Sequence, residues 1–207
     1  MRSLRRQVLA ASALLSIFCA VTAVTAAAAE GLSADQLSRL KSGEALVAVE
    51  EDSGEADGHI TAVIDIATNP HRVWQVMTDC ARAPKFLASL KSCKVLQLGP
   101  ASGSGVVWDI REHRSNWMSL LPETISVFRS DYVQDKEIRF ERVSGNLRFL
   151  KGSWRLEPLS GGAGTRLRYD TRIGVSGPVP GFMVRSALES DVPKFLGALR
   201  TEALGNK

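Results

Sequence analysis

A long amphipathic segment near the end of the chain limits the fold more than any other feature. Across residues 181–204, Val184, Leu188, Val192, Phe195 and Leu199 recur at helical spacing. A helix of that length must bury its apolar stripe against another layer. Pro193 lies inside it and predicts a kink. The layer is supplied by what precedes it. Six stretches between residues 94 and 173 alternate apolar and polar side chains, the period of half-buried strands. Residues 94–98 are the first. Val106, Trp108 and Ile110 share a face in the second, and Ile125 and Val127 mark a third that continues toward Tyr132. Ile138 and Phe140 mark the fourth, Leu150, Trp154 and Leu156 the fifth, and Leu167, Tyr169, Thr171 and Ile173 the sixth. The opposite positions are often charged, as at Arg155, Arg166, Arg168 and Asp170. One dry face and one wet face describe an antiparallel sheet covered on one side.

The upstream elements are punctuated by caps and turns. Ser33 and Gln36 form a capping-box start for a short helix through Leu37 and Leu40, stopped at Gly43. Residues 45–50 read as a strand, and the acidic, glycine-containing stretch 50–58 as a loop. Residues 59–67 form a clear strand with Ile60, Ala62, Ile64 and Ile66 on one face. Asn69 caps the next helix, with Pro70 at its first position and Val73, Trp74, Val76 and Met77 on its apolar side. Pro84 opens another helical turn carrying Phe86 and Leu87. Gly161 and Gly162 turn the last hairpin. The order is strand, two short helices, a strand meander and one long helix. This is an α+β chain in which a curved sheet grips a single helix and encloses space beside it.

The N-terminus is expected to direct the chain out of the cytoplasm. Arg2, Arg5 and Arg6 precede an uncharged apolar run over residues 8–24, and four alanines follow at 26–29. That is the three-part form of a secretory signal, with cleavage expected after Ala29 and a periplasmic destination. A retained anchor would want a basic flank after the apolar run, and a lipid on Cys19 would want a small residue in place of Phe18. The expected organisation is a signal peptide at 1–29, an N-terminal helix and edge strand at 30–58, and the main domain at 59–207. The whole chain has 26 Lys and Arg against 22 Asp and Glu, but three of the arginines are in the signal. The mature chain is nearly neutral, so composition gives no support for a nucleic-acid partner. Cys80 and Cys93 remain in it; their spacing leaves a disulfide and two free thiols both open.

Four stretches resemble the START-like superfamily known as SRPBCC, which has the helix-grip fold. They are Asn69-Pro70-His71-Arg72-Val73-Trp74-Gln75-Val76-Met77-Thr78-Asp79; Pro84-Lys85-Phe86-Leu87 with Leu90-Lys91-Ser92-Cys93-Lys94-Val95-Leu96; Gly152-Ser153-Trp154-Arg155-Leu156-Glu157-Pro158 with Gly164-Thr165-Arg166-Leu167; and Pro180-Gly181-Phe182 with Asp191-Val192-Pro193. The nearest branch is similar to the polyketide cyclase/dehydrase and coenzyme Q-binding group. The resemblance spans nearly the whole mature chain. It implies a helix-grip (START-like) fold, on which lipid carriers, aromatic cyclases and hormone receptors all occur. Such a fold does not decide the function.

Residues that could carry chemistry are sparse. His59, His71 and His113 stand apart, with no metal-ligand spacing between them, and no nucleophile elbow or phosphate-cradling glycine loop is present. No cofactor is implied. His113 is the histidine nearest the apolar segment described next. A cyclase would need an acid or base inside its cavity, for which Asp109, Glu112, Arg129, Arg148 and Tyr169 are the candidates. Most of these are expected on the wet face or at strand ends, whereas Tyr169 shares the dry face. Residues 116–122 read Asn-Trp-Met-Ser-Leu-Leu-Pro between two strands, an apolar connection that fits a plug of core, a lid, or a patch touching a membrane. From it come three candidate ligand-lining residues, Trp117, Met118 and Leu121. The strands and final helix add Trp108, Phe140, Trp154, Tyr169, Phe182 and Leu188. The leading expectation is a periplasmic binding or carrier protein for an apolar small molecule or lipid, without catalysis. A cyclase or aromatase acting on a hydrophobic polyketide-like substrate, and a non-catalytic envelope interaction domain, are the alternatives.

Overall fold

A computed structural model describes residues 31–52, 54–102, 105–116 and 123–205. The expected signal peptide lies outside the described residues. The chain from Leu32 onward forms one compact unit. Its elements are α1 (Ala34–Lys41), β1 (Leu46–Glu50), β2 (Gly58–Ile66), α2 (Pro70–Thr78), α3 (Ala83–Phe86) and β3 (Leu90–Leu98). A two-residue pair follows, β4 (Ala101–Ser102) and β5 (Gly105–Val106), then β6 (Trp108–Ser115), β7 (Thr124–Val133), β8 (Glu137–Gly145), β9 (Leu147–Pro158), β10 (Thr165–Val175) and α4 (Gly181–Leu204). Eight strands make one curved antiparallel sheet in the order β1-β2-β10-β9-β8-β7-β6-β3. This is the α+β helix-grip architecture that the sequence leads one to expect.

The caps act as their residues dictate. Ser33 Oγ accepts from the Gln36 amide while Gln36 Oε1 accepts from the Ser33 amide, and the Asn69 side chain accepts from the Arg72 amide, so orphan donors at both helix starts are satisfied. Gly161 and Gly162, at φ of +85° and +72°, turn the β9–β10 hairpin in a conformation that other residues rarely adopt.

The dense core lies where α2 and α4 meet β2 and β10. Ile60, Ala62, Ile64 and Ile66 of β2 are buried, as are Val73 and Val76 of α2, Leu167 of β10, and Leu196 and Leu199 of α4. Each large aliphatic side chain removed from water there contributes about 1.5–3 kcal/mol. The buried stripe of α4 is the one that the helical spacing identifies, extended by Leu196 and Ala203, and the helix runs through Pro193. None of the helices among the described residues is long and apolar enough to cross a membrane.

Two strands turn the opposite way from expectation. On β6 and β7 the alternation was expected to put Trp108, Ile110, Ile125 and Val127 on the dry face. The inward positions are instead Asp109, Arg111, His113 and Ser115 on β6, and Thr124, Ser126 and Phe128 on β7. The reason is a buried polar network and a polar cavity wall that use those side chains, which leaves the apolar ones to the outer face. Strand β3 also begins earlier than expected, at Leu90. Cys80 and Cys93 form a disulfide with their Cα atoms 5.5 Å apart, tying the chain after α2 to β3.

Candidate functional site

Between the inner face of the sheet and α4 lies a cavity of about 420 Å³, a size suited to a small molecule. Alternation along β8, β9 and β10 aims Phe140, Trp154 and Tyr169 into it, and α4 adds Leu188, Val192 and Phe195. Phe86, just after Lys85 in α3, and Leu90, at the start of β3, close one end. Trp154 stacks on Tyr169 with ring centroids 3.9 Å apart, and Phe195 meets both edge-on at 6.0 and 5.8 Å. Phe140 continues the row toward Phe128 at 6.2 Å, and His113 meets Phe128 edge-on at 4.8 Å. Offset and edge-to-face rings attract through their quadrupoles, so these walls hold one another in place. Burial raises the pKa of the Tyr169 phenol, which stays neutral. Two depressions on the outer face have comparable volumes, about 640 and 470 Å³, but charged side chains such as Arg155 and Asp170 line both.

The far wall is polar. The β6–β7 ladder pairs His113 with Ser126 and Ser115 with Thr124, two rungs on the same face, and all four residues line the cavity. His113 Nε2 and Ser126 Oγ are buried with no hydrogen-bond partner among the described residues. Desolvation, and second the charge of Arg111, lower the His113 pKa from 6.5 to about 4, so the imidazole is neutral.

Deeper along β6, Arg111 Nε donates to Asp109 Oδ2 at 2.8 Å, and its Nη2 donates to the carbonyl of Thr78 at 2.7 Å. Thr78 ends α2, where a cation compensates the orphan carbonyls. The guanidinium also sits 5.9 Å from the Tyr132 ring, which Trp74 meets edge-on at 5.6 Å. Asp109 is therefore buried, not on the wet face, and its charge is matched by Arg111 away from the cavity. This network fixes α2 against the sheet.

The structure sorts the candidate residues by position. Phe140, Trp154, Tyr169 and Leu188 lie on the cavity wall. Trp108 does not: it faces the outer side, packed against Gly99 and covered by the Arg129 guanidinium 4.4 Å from its ring. Phe182 does not either; in the first turn of α4 it points to solvent and is 64% exposed. Trp117, Met118 and Leu121 lie outside the described residues. Glu112 pairs with Arg114, Arg129 with Asp131, and Arg148 with Asp57, all on the surface. His59 and His71 pair with Asp170 and Asp135. Ser126 was missed by sequence reasoning; its one signal was the polar alternation Ser126, Ser130 on a strand that had been phased by Ile125 and Val127.

An eight-stranded sheet wrapped on one long helix, with an aromatic cavity between them, defines a helix-grip domain built around a small-molecule pocket. A family model described as polyketide cyclase/dehydrase and lipid transport matches residues 66–200, and the chain belongs to that family. Among solved structures, the STAR-related lipid transfer protein from Xanthomonas axonopodis is 17% identical with a TM-score of 0.62, covering 78% of this chain and 94% of that one. The Zhui aromatase/cyclase from Streptomyces sp. R1128 is 15% identical at a TM-score of 0.57, covering 70% and 93%. The lipid transfer and protein localization domain of human StarD13 is 15% identical at 0.60, covering 77% and 84%. At these identities the likeness is one of fold. No curated protein matches the chain.

Proposed function

We propose that this chain is an exported carrier that holds an apolar small molecule or lipid in the cavity between its sheet and α4. The observation that carries the reading is the cavity itself, about 420 Å³ walled chiefly by aromatic and aliphatic side chains. A collapsed interaction domain would have no reason to keep such a space, because unfilled apolar volume costs stability. Both readings have a counterpart among proteins of similar fold, one a lipid transfer protein and another an aromatase/cyclase. Cyclase chemistry is the less favoured of the two. A general base works best with a pKa near the working pH, and His113, the histidine on the wall, has been pushed down to about 4.

Export is part of the proposal. The basic, apolar and small-residue segments of the first 29 residues support it, and the Cys80–Cys93 disulfide suits an oxidising compartment. Transient membrane contact for loading is also part of it, motivated by the apolar sequence at 117–121. The near-neutral mature chain gives no reason to invoke nucleic acid. Full-length protein expressed in a bacterial host with an envelope should be recovered by osmotic shock at the mass of residues 30–207. Native mass spectrometry of that material should show an adduct that organic extraction removes. A bare mass in every preparation, with no uptake of apolar probes, would count against the carrier reading.

A further inference from the structure

The cavity is not uniformly greasy, and the polar patch on its β6–β7 wall has a definite chemistry. His113 and Ser126 are directly opposed across the β6–β7 ladder, which places their Cβ atoms about 5 Å apart. Both line the cavity, and His113 Nε2 and Ser126 Oγ have no hydrogen-bond partner among the described residues. A buried polar atom left unpaired costs about 1–3 kcal/mol, so a native structure seldom keeps two side by side without a use. Their neighbours Ser115 and Thr124 extend the patch by one rung.

We propose that the guest is an apolar molecule carrying a neutral hydroxyl group, which docks against the His113–Ser126 rung, the two side chains turning toward it from positions in which Nε2 and Oγ are covered. The inference rests on the carrier reading and gives it a ligand class. A hydroxyl both donates and accepts, as a serine hydroxyl does, and a neutral imidazole offers one nitrogen of each kind. An anionic group fits poorly. Arg111 is the nearest cation on the same face of the strand, and its charge is already engaged by Asp109 and the Thr78 carbonyl, while Arg114, next to His113, is on the other face and paired with Glu112 and Glu123. Lys85 and Lys194, which also line the cavity, are paired with Glu202 and Asp191. Burying an unpaired carboxylate beside neutral partners is strongly unfavourable. A fully apolar guest would leave both orphan atoms as they are. The row His113–Phe128–Phe140–Tyr169 then lays aromatic faces along the body of a guest whose hydroxyl lies at the β6–β7 end.

The test uses the mature protein and three probes of one shape: naphthalene, naphthol and naphthoate, titrated near neutral pH by quenching of tryptophan fluorescence. Wild type should bind naphthol about tenfold tighter than naphthalene, a difference of about 1.4 kcal/mol, and naphthoate no tighter than naphthalene. Ser126→Ala and His113→Phe should each reduce the ratio of naphthol to naphthalene affinity at least about threefold. The phenylalanine keeps the edge contact with Phe128, and Ser126→Ala is small enough to preserve the fold if His113→Phe does not. Equal affinity for naphthol and naphthalene in wild type overturns the hydroxyl assignment but leaves the carrier reading standing. So does a preference that survives both substitutions, or naphthoate binding best of the three. Failure of all three probes to bind overturns the carrier reading and the assignment with it.

Discussion

His113 lies in the fold with its pKa lowered from 6.5 to about 4, by desolvation first and by Arg111 second. The unfolded chain returns it to about 6.5. Between those values the unfolded state binds more protons than the folded one, so stability falls as pH drops through the window and levels off below about 4. The full interval is worth about 3 kcal/mol at about 1.4 kcal/mol per pH unit. Urea unfolding of wild type and His113→Phe, from about pH 7 to about pH 4, should therefore show wild type losing ground to the variant as acid is added. A gap that does not change with pH would refute the account. Gly152 offers a second test at this scale. It lies opposite Phe140 on one side and Thr171 on the other, and a Cβ there would come within 2.6 Å of Thr171 Oγ1 and 2.7 Å of the Phe140 ring, and closer still to the Asp170 carbonyl oxygen. Because the nearest of these is backbone in the neighbouring strand, Gly152→Ala should cost about 1–3 kcal/mol in denaturant unfolding. No loss would mean that β9 and β10 are not held in this close register. The sequence identified Phe140, Trp154, Tyr169 and Leu188 as wall residues because each sits on an apolar phase that really does point inward. It misplaced Trp108 because that phase points outward on β6, where a guanidinium and a glycine cover the ring.

Elements with strong local signals were readable without tertiary information. The Ser33 capping box, the Asn69–Pro70 start of α2 and the stripe of α4 are written in neighbouring residues, and each forms where its residues indicate. Strands β6 and β7 were not readable in the same way. Alternation gives two faces, but choosing the inner one assumes that the interior is apolar. Here the interior holds the Asp109–Arg111 pair and the polar wall. The disulfide belongs at this scale too, since it joins the turn after α2 to edge strand β3 across 13 residues of sequence. Closing a loop of that length removes chain entropy from the unfolded state worth about 3 kcal/mol. Replacing Cys80 and Cys93 together by serine should lower the unfolding free energy by roughly that amount. Reductant should do the same to wild type and nothing to the double variant. If reductant leaves wild type unmoved, the link does not constrain the fold.

At the scale of the whole molecule, the sheet grips α4 unevenly. One side of the helix is packed without gaps: Val184, Leu196, Leu199 and Ala203 are buried against β2, α2 and their neighbours. The other side overlooks the hollow through Leu188, Phe195 and Ala198. Stability and binding are thus carried by different faces of one helix, and a substitution on the hollow face should separate them. Ala198→Phe adds a ring into the cavity from a helix that tolerates it. Overpacking a filled core costs about 1–3 kcal/mol, but this ring enters existing space, so unfolding should change by less than about 1 kcal/mol. Guest binding should weaken at least tenfold, because the volume that the guest needs is occupied. Leu196→Ala, one turn's face away in the packed side, should do the reverse: about 2–5 kcal/mol of stability lost, with little effect on the affinity of the molecules that remain folded. Titration of an apolar probe alongside urea unfolding reads both quantities in each variant. Probe binding unimpaired by Ala198→Phe would place the guest outside the sheet–helix hollow, and the division of labour across α4 would fall with it.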